Sequence, residues 1–448
     1  MFRKKHSLIK GTLILTSAGL VSRVLGFFFR IFLSHTFGEE QVGLYQLIFP
    51  FYALCLSLST SGLETAISRS VSRFHSLGRT QDGKLIFQTG LILSVLISLI
   101  CTLLVQKNSV FLSNRFLGDP RCATLLYLIV LALPAASVHS CICGYHYGLQ
   151  RTSVPAISQL IEQFVRISSV FVLYFIFIHS GVHPAIPLAV SGIIFGELAA
   201  AGYSLFSLKK GFDADSPYIL SISKSCSELL RLSVPLTVNR TAITFLQGIE
   251  AASIPVCLEL ASHSASEALS IYGVLTGMAL PCILFPCALT NSISLLLIPA
   301  VAQKQAESSS KETFLLIKKA AGGCFSLGLL CSVFFLLTGS FLGNFLFHST
   351  LAGNFIITLA WICPFLYTSS ALLSAINGLG LTTLTLMINL LGLSIRILSV
   401  YFGIPHYGIT GYLWGLFISQ STVCLVALLT LSHEIKKEYL QSVESATD

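Results

Sequence analysis

Residues 148–170 read GLQRTSVPAISQLIEQFVRISSV, and residues 378–400 read GLGLTTLTLMINLLGLSIRILSV. At a constant offset of 230, Gly148, Leu149, Thr152, Leu160, Arg166, Ile167, Ser169 and Val170 recur as Gly378, Leu379, Thr382, Leu390, Arg396, Ile397, Ser399 and Val400. Leucine and serine matches carry little weight in an apolar chain. A Gly-Leu turn followed eighteen residues later by an arginine inside a hydrophobic run carries much more. Each copy reads as a short loop opening a membrane helix with a mid-span arginine, and the pair as equivalent halves of an internally duplicated transporter.

Composition agrees with a lipid setting. The 448 residues are 54% hydrophobic and only 10% charged, with mean hydropathy +0.82, whereas a soluble domain is about a quarter charged. The net charge of +8 does not imply a nucleic-acid partner. Basic residues sit in short clusters between apolar runs, the pattern of cytoplasmic membrane loops and not of a basic face. The thirteen cysteines form no CxxC pair and read as small apolar packers. The N-terminal MFRKKHSLIK and its apolar run lack a small-x-small cleavage site, so they read as a retained first helix.

Twelve runs are long enough for the ~20 apolar residues a spanning helix needs. They are 8–35, 43–68, 85–106, 122–148, 154–178, 185–208, 228–256, 268–300, 314–340, 353–376, 382–402 and 408–432. Nineteen lysines and arginines then fall on the side that carries both termini. Only Lys107, Arg115 and Arg121 fall opposite. The positive-inside rule makes the richer side cytoplasmic. The expected organisation is an all-α integral membrane protein of about twelve transmembrane helices in two pseudo-symmetric six-helix lobes. The lobes are residues 1–208 and 228–448, joined by a cytoplasmic linker at 209–227. The polar stretch 301–314 reads as an interfacial helix.

With the nineteen cytoplasmic-side and three opposite lysines and arginines set aside, five basic residues remain within the spans, and all are arginine: Arg23, Arg30, Arg166, Arg240 and Arg396. Each mid-span arginine costs about 2.5–3.5 kcal/mol on the insertion scale. The preference for arginine suits forked binding of carboxylate or phosphate. The acids within spans are Glu64, Glu162, Glu197 and Glu250. Glu162 and Arg166 have the i, i+4 spacing of a self-neutralising pair, and Glu64 and Arg30 read as helix-end groups that snorkel. Arg23, Arg240 and Arg396 have no acid one turn away, and Glu250 reaches Arg240 only through another helix or water. All five arginines and Glu250 are candidate substrate-binding residues. Pro281 and Pro286, in a run with three prolines, are candidate hinges. No GxxxxGK[ST], HExxH or GxSxG occurs, so no ATPase, catalytic residue, metal site or cofactor is expected. His139 and His146 read as interface or packing histidines.

Several stretches carry a resemblance to a known family. In SRVLGFFFRIFLSHTFG at 22–38, Ser22, Arg23, Gly26 and Arg30 stand where the superfamily has them. The others are GYHYGLQRTSVPAISQLIEQFVRI at 144–167, YGVLTGMALPCILFPCALTNSISLLLIPA at 272–300 and CPFLYTSSALLSAINGLG at 363–380. With these the chain resembles the stage V sporulation protein B family, in the polysaccharide exporter branch of the MOP superfamily, which also holds MurJ-type lipid II flippases and MATE antiporters. The resemblance implies a MATE/MOP-like fold of two lobes around a central cavity, alternating access, and a lipid-linked cell-wall precursor, lipid II or a related undecaprenyl-pyrophosphate sugar, moved during spore cortex synthesis. Its partners would be that lipid-linked oligosaccharide, the surrounding membrane lipids, and a coupling cation or the membrane potential. It also implies that Arg23, with Arg30 beyond it, contacts pyrophosphate. Other cavity arginines of the lipid II flippases, in the second and eighth helices, have no counterpart here. The alternatives are a MATE-type cation-coupled antiporter, which would want a carboxylate in the first helix, and a non-transporting membrane scaffold of cell-wall synthesis.

Overall fold

In hydrocarbon every backbone N–H and C=O must be paired within the segment or against other protein, which leaves helices or closed barrels. A computed structural model describes residues 2–208, 221–306 and 310–447, and among them every regular element is helical. The chain forms two compact units, residues 1–252 and 253–448. The first holds α1 (Phe2–Leu56), α2 (Gly62–Ser76), α3 (Thr80–Lys107), α4 (Ser109–Leu112), α5 (Cys122–Ile129), α6 (Leu133–Gly148), α7 (Ser153–His179), α8 (Pro187–Leu208) and most of α9 (Ile222–Leu260). The second continues through α10 (Ala265–Gly273), α11 (Leu280–Leu284), α12 (Cys287–Ala306), α13 (Ser310–Phe347), α14 (Thr350–Ala360), α15 (Cys363–Gly378), α16 (Thr382–Leu398), α17 (Ile404–Tyr407) and α18 (Ile409–Thr447). Of the linker expected at 209–227, residues 209–220 lie outside the described residues.

Among the described residues, ten helices are long and apolar enough to cross a membrane. They are eleven when α14 and α15, bent by 56°, count as one span. The first of the ten, Ile14–Ser76, is 63 residues long. As a straight helix it would measure ~95 Å against a hydrocarbon core of ~30 Å. Gly38, at φ 78° and ψ 174°, breaks it, so it accommodates both of the first two expected runs. The run expected at 268–300 is divided between α10, a wide helical turn at Val274–Ala279, α11 and α12. The stretch expected as an interfacial helix is instead the end of α12 and the start of α13, with residues 307–309 undescribed. Lys304 Nζ and Glu312 Oε2 meet there at 2.5 Å.

The offset of 230 persists in three dimensions. A Cβ on Gly148 would lie 2.8 Å from the Ser68 carbonyl oxygen and 2.8 Å from Val71 Cβ; one on Gly378 would lie 2.9 Å from the Ile298 carbonyl oxygen and 2.9 Å from Val301 Cβ. Both helices then end in the same motif. Gln150 N–H donates to Tyr147 O at 3.0 Å and Arg151 N–H to His146 O at 2.9 Å. Gly380 N–H donates to Asn377 O at 3.0 Å and Leu381 N–H to Ile376 O at 3.1 Å. This is a Schellman cap with a left-handed residue at its centre, Gln150 at φ 58° and Gly380 at φ 81°. Farther along, Ser169 Oγ donates to Arg166 O at 3.0 Å and Ser399 Oγ to Arg396 O at 2.7 Å. Contacts between distant segments repeat with the sequence, so the duplication is structural.

Valine at either Gly148 or Gly378 drives a branched side chain into backbone that cannot retreat, at about 1–3 kcal/mol each. Both variants should lose membrane abundance and melting temperature to a similar degree. Gly19→Ala, with nothing near its Cβ, should lose none. A large effect at one glycine alone would contradict equivalent packing.

The first unit's core joins α2, α3, α6 and the start of α9 through Ile67, Phe74, Ile86, Phe87, Ile142 and Leu229. Near the opposite helix ends Arg121 ties two segments, with Nη2 2.7 Å from Asp119 Oδ2 and Nη1 2.6 Å from Glu40 Oε1. Its N–H groups donate to the Asp119 carboxylate and, to a lesser extent, to Glu40, which holds its guanidinium pKa above the usual arginine value. In the second unit Gly328 and Gly343 admit the bent α14–α15 pair against α13; their Cβ atoms would fall 2.5 Å from Pro364 Cα and 2.2 Å from Gly353 N.

Candidate substrate cavity

The segment SLSTS at residues 57–61 forms one wide helical turn between α1 and α2, seven residues beyond Pro50. The hydroxyls here take up carbonyls one turn back: Thr60 Oγ1 donates to Leu56 O at 2.7 Å and Ser61 Oγ to Ser57 O at 3.0 Å. Gly62 follows, and a Cβ there would stand 2.0 Å from Thr237 Oγ1 and 2.4 Å from Ser233 O. Only glycine admits α9 this closely. Ser57 Oγ lies 3.2 Å from Thr241 Oγ1, which brings neighbouring Arg240 to the same place. On the other side, Gly144 of α6 meets the Glu64 backbone, 2.7 Å from its carbonyl oxygen to the ideal Cβ. Ser140, one turn earlier, donates its hydroxyl to Glu64 Oε2 at 2.7 Å.

Small residues on three helices thus enclose a cavity of about 380 Å³ within the first unit, in the ~300–1,000 Å³ range of small-ligand sites. Arg240 and Glu64 supply its charges, and Ser57, Thr60, Ser61, Ser140 and Thr244 its hydroxyls. Arg240 is exposed and enters no ion pair among the described residues. The arrangement offers a forked cation for an anionic group and, around it, donors and acceptors suited to hydroxyl-rich ligands.

The remaining candidates lie elsewhere. Arg23 is exposed on α1 and has no ion pair among the described residues; Arg30 is half-buried two turns on. Arg166 is bonded to Glu162, its own-helix neighbour, with Tyr45, Tyr52 and Glu197 in electrostatic reach. Arg396 is half-buried on α16 and Glu250 buried on α9. Pro281 opens α11 directly after the wide turn, and Pro286 stands at the break before α12. Glu64, read from sequence as a helix-end group, is held inside a helix by Ser140. It stands where Ser294 stands in the second copy, and Ser294 Oγ likewise meets Ser370 Oγ at 3.0 Å. His139, read as a packing residue, meets Glu197 on α8 and Ser158 on α7. Sequence spacing carried no sign of these partners, which come from other helices.

Helices that cross a membrane in duplicated sets, with a hydroxyl-lined cavity among them, define a multi-pass membrane transporter fold. The chain belongs to the polysaccharide biosynthesis protein family, which matches residues 8–303. It is 29% identical over 435 residues to stage V sporulation protein B of Bacillus subtilis, covering 96% of this chain and 84% of that protein. It is 24% identical over 316 residues to the lipid II flippase MurJ of the same organism, covering 66% of this chain and 58% of that one. Among solved structures, an inward-facing multidrug resistance MATE family transporter of the MOP superfamily aligns with TM-score 0.70 at 14% identity, covering 94% of this chain and 96% of that one. A MOP superfamily transporter from Pyrococcus furiosus aligns at TM-score 0.67, 14% identity and coverage of 97% and 96%.

Proposed function

We propose that this protein is a flippase for a lipid-linked cell-wall saccharide precursor with a phosphate-bearing head group, of the undecaprenyl-pyrophosphate class, serving spore cortex synthesis. The carrying observation is the cavity in which Arg240, without an ion pair among the described residues, stands beside hydroxyls and Glu64. Arg240 takes a phosphate oxygen pair, and the hydroxyls with Glu64 take the sugar hydroxyls. The family and the relatives named above supply the substrate class. Two lobes, residues 1–208 and 228–448, alternate access across the cytoplasmic membrane, with Pro281 and Pro286 as hinges. Arg23, Arg30 and Arg396 add positive potential along the head group's path, and Arg166 and Glu250 border it.

A lipid II accessibility assay in cells with and without the protein tests the substrate directly. Loss of outward-exposed precursor on depletion is the expected result. Unchanged precursor, with altered resistance to cationic drugs, would instead mark an antiporter.

Orientation is tested separately. Single-cysteine labelling should place both termini and residues 72–83, 209–225 and 301–313 on the cytoplasmic side, as the positive-inside count requires. Labelling of 301–313 from outside would overturn it.

A further inference from the structure

His139 lies on α6 and Glu197 on α8, with Ser158 of α7 between the helices. His139 Nε2 is 2.9 Å from Ser158 Oγ, and His139 Nδ1 is 3.4 Å from Glu197 Oε2. Ser158 has one hydroxyl hydrogen and three partners in reach, the Pro155 carbonyl at 2.9 Å, His139 Nε2 at 2.9 Å and Cys143 Sγ at 3.7 Å. When that hydrogen goes to Pro155, the oxygen accepts from His139 and Nε2 carries the imidazole hydrogen. A neutral ring of that tautomer turns the Nδ1 lone pair on a carboxylate oxygen. Two acceptors face each other with no hydrogen between them, and the contact is repulsive. One further proton, on nitrogen or on oxygen, turns it into a hydrogen bond.

Charge leads to the same count. A ring nitrogen of His139 and a carboxylate oxygen each of Glu162 and Glu197 all lie within 4.8 Å of one another, and Arg166 is bonded to Glu162. Two carboxylates and one guanidinium leave a single negative charge in a membrane-embedded site. One proton cancels it, whereas a divalent metal would leave a net positive charge beside Arg166 and would have to break the bond to Ser158. Among the described residues, the other titratable groups facing the cluster are Tyr52 on α1 and Cys143 on α6, with Tyr45 of α1 in reach of Arg166 and Cys55 of α1 beside Tyr52. The Tyr52 hydroxyl is buried without a hydrogen-bond partner among the described residues, although Tyr52 is only 7% exposed and has Glu197, Arg166 and Glu162 in electrostatic reach. It is a polar group awaiting a partner beside a carboxylate pair. Glu64, on the helix packed against the other face of α6, is already held by Ser140.

We propose that His139 and Glu197 form a proton-binding site, taking up a single proton shared between Nδ1 and Oε2, whose release sets α6 and α8 against each other. The proton comes from and returns to water, and no other bond changes. Its use in driving transport rests on the flippase reading; proton binding itself does not, and the test reads binding alone.

The full-length protein in lipid nanodiscs is titrated while infrared difference spectra follow carboxylic-acid and imidazolium bands. One titration should be lost in Glu197→Gln and lost equally in His139→Asn, because the proton belongs to both. A titration that persists in both variants, or two that each variant removes separately, would overturn the proposal. Ser158→Ala provides an arm that spares the pair. Without Ser158 the ring can move its hydrogen to Nδ1 and bond Glu197 with no added proton. The midpoint should then fall by about one pH unit, a tenfold loss of proton affinity. An unmoved midpoint overturns the tautomer argument even where the other variants cannot be purified. Displacement of the titration by millimolar sodium or zinc, with uptake of the metal, would make the cluster a metal site instead.

Discussion

Arg240→Ala should abolish flipping while leaving the protein at normal abundance in the membrane. The guanidinium is exposed and enters no ion pair among the described residues, so its removal strands no opposite charge and leaves no void in a packed core. What disappears is the one cation in a cavity of hydroxyls. A bidentate arginine–phosphate contact is a charge-assisted bond about twice as strong as a neutral one, and it would be made to a desolvated head group. Arg240→Lys should recover only part of the activity, because lysine keeps the charge and loses the planar fork. The measurement is precursor accessibility and membrane-fraction abundance taken together for both variants. Full flipping by Arg240→Ala would remove this cavity from the substrate path. Loss of abundance would give Arg240 a structural role. The same pair of measurements applies to Arg23, which is also exposed and without an ion pair among the described residues.

The second large effect falls on Glu162. Glu162→Ala removes the partner of Arg166, whose Nε is already buried without a hydrogen bond among the described residues. An uncompensated charge of that kind costs about 3–5 kcal/mol, a large share of a typical domain's stability. Abundance and melting temperature should both collapse. Replacing the pair together, Glu162→Leu with Arg166→Met, should restore most of the loss, since an apolar pair of similar volume avoids the desolvation penalty. If Glu162→Ala alone is as stable as the parent, Glu197, which is in electrostatic reach of Arg166, has taken over the neutralisation. The double replacement would then bring no further gain.

The one-dimensional pattern determined those features that depend on spacing along the chain. Apolar run length dictated spanning helices, because a backbone in lipid has no other way to satisfy itself. The recurrence at an offset of 230 dictated the duplication, and Gly148 and Gly378 meet the same kind of neighbour. The i, i+4 spacing of Glu162 and Arg166 was enough to pair them. Arg240 stood out because its own helix offers no acid one turn away.

Tertiary structure alone decided everything that needed a partner from another helix. Glu64 became a cavity residue because Gly62 and Gly144 let α9 and α6 approach it, and Ser140 then bound its carboxylate. His139 ceased to be a packing residue once α8 brought Glu197 and α7 brought Ser158 to its two nitrogens. Periodicity shows which face of a helix is apolar. It holds no record of which helix lies across that face, and a polar side chain in a membrane takes its chemistry from that neighbour.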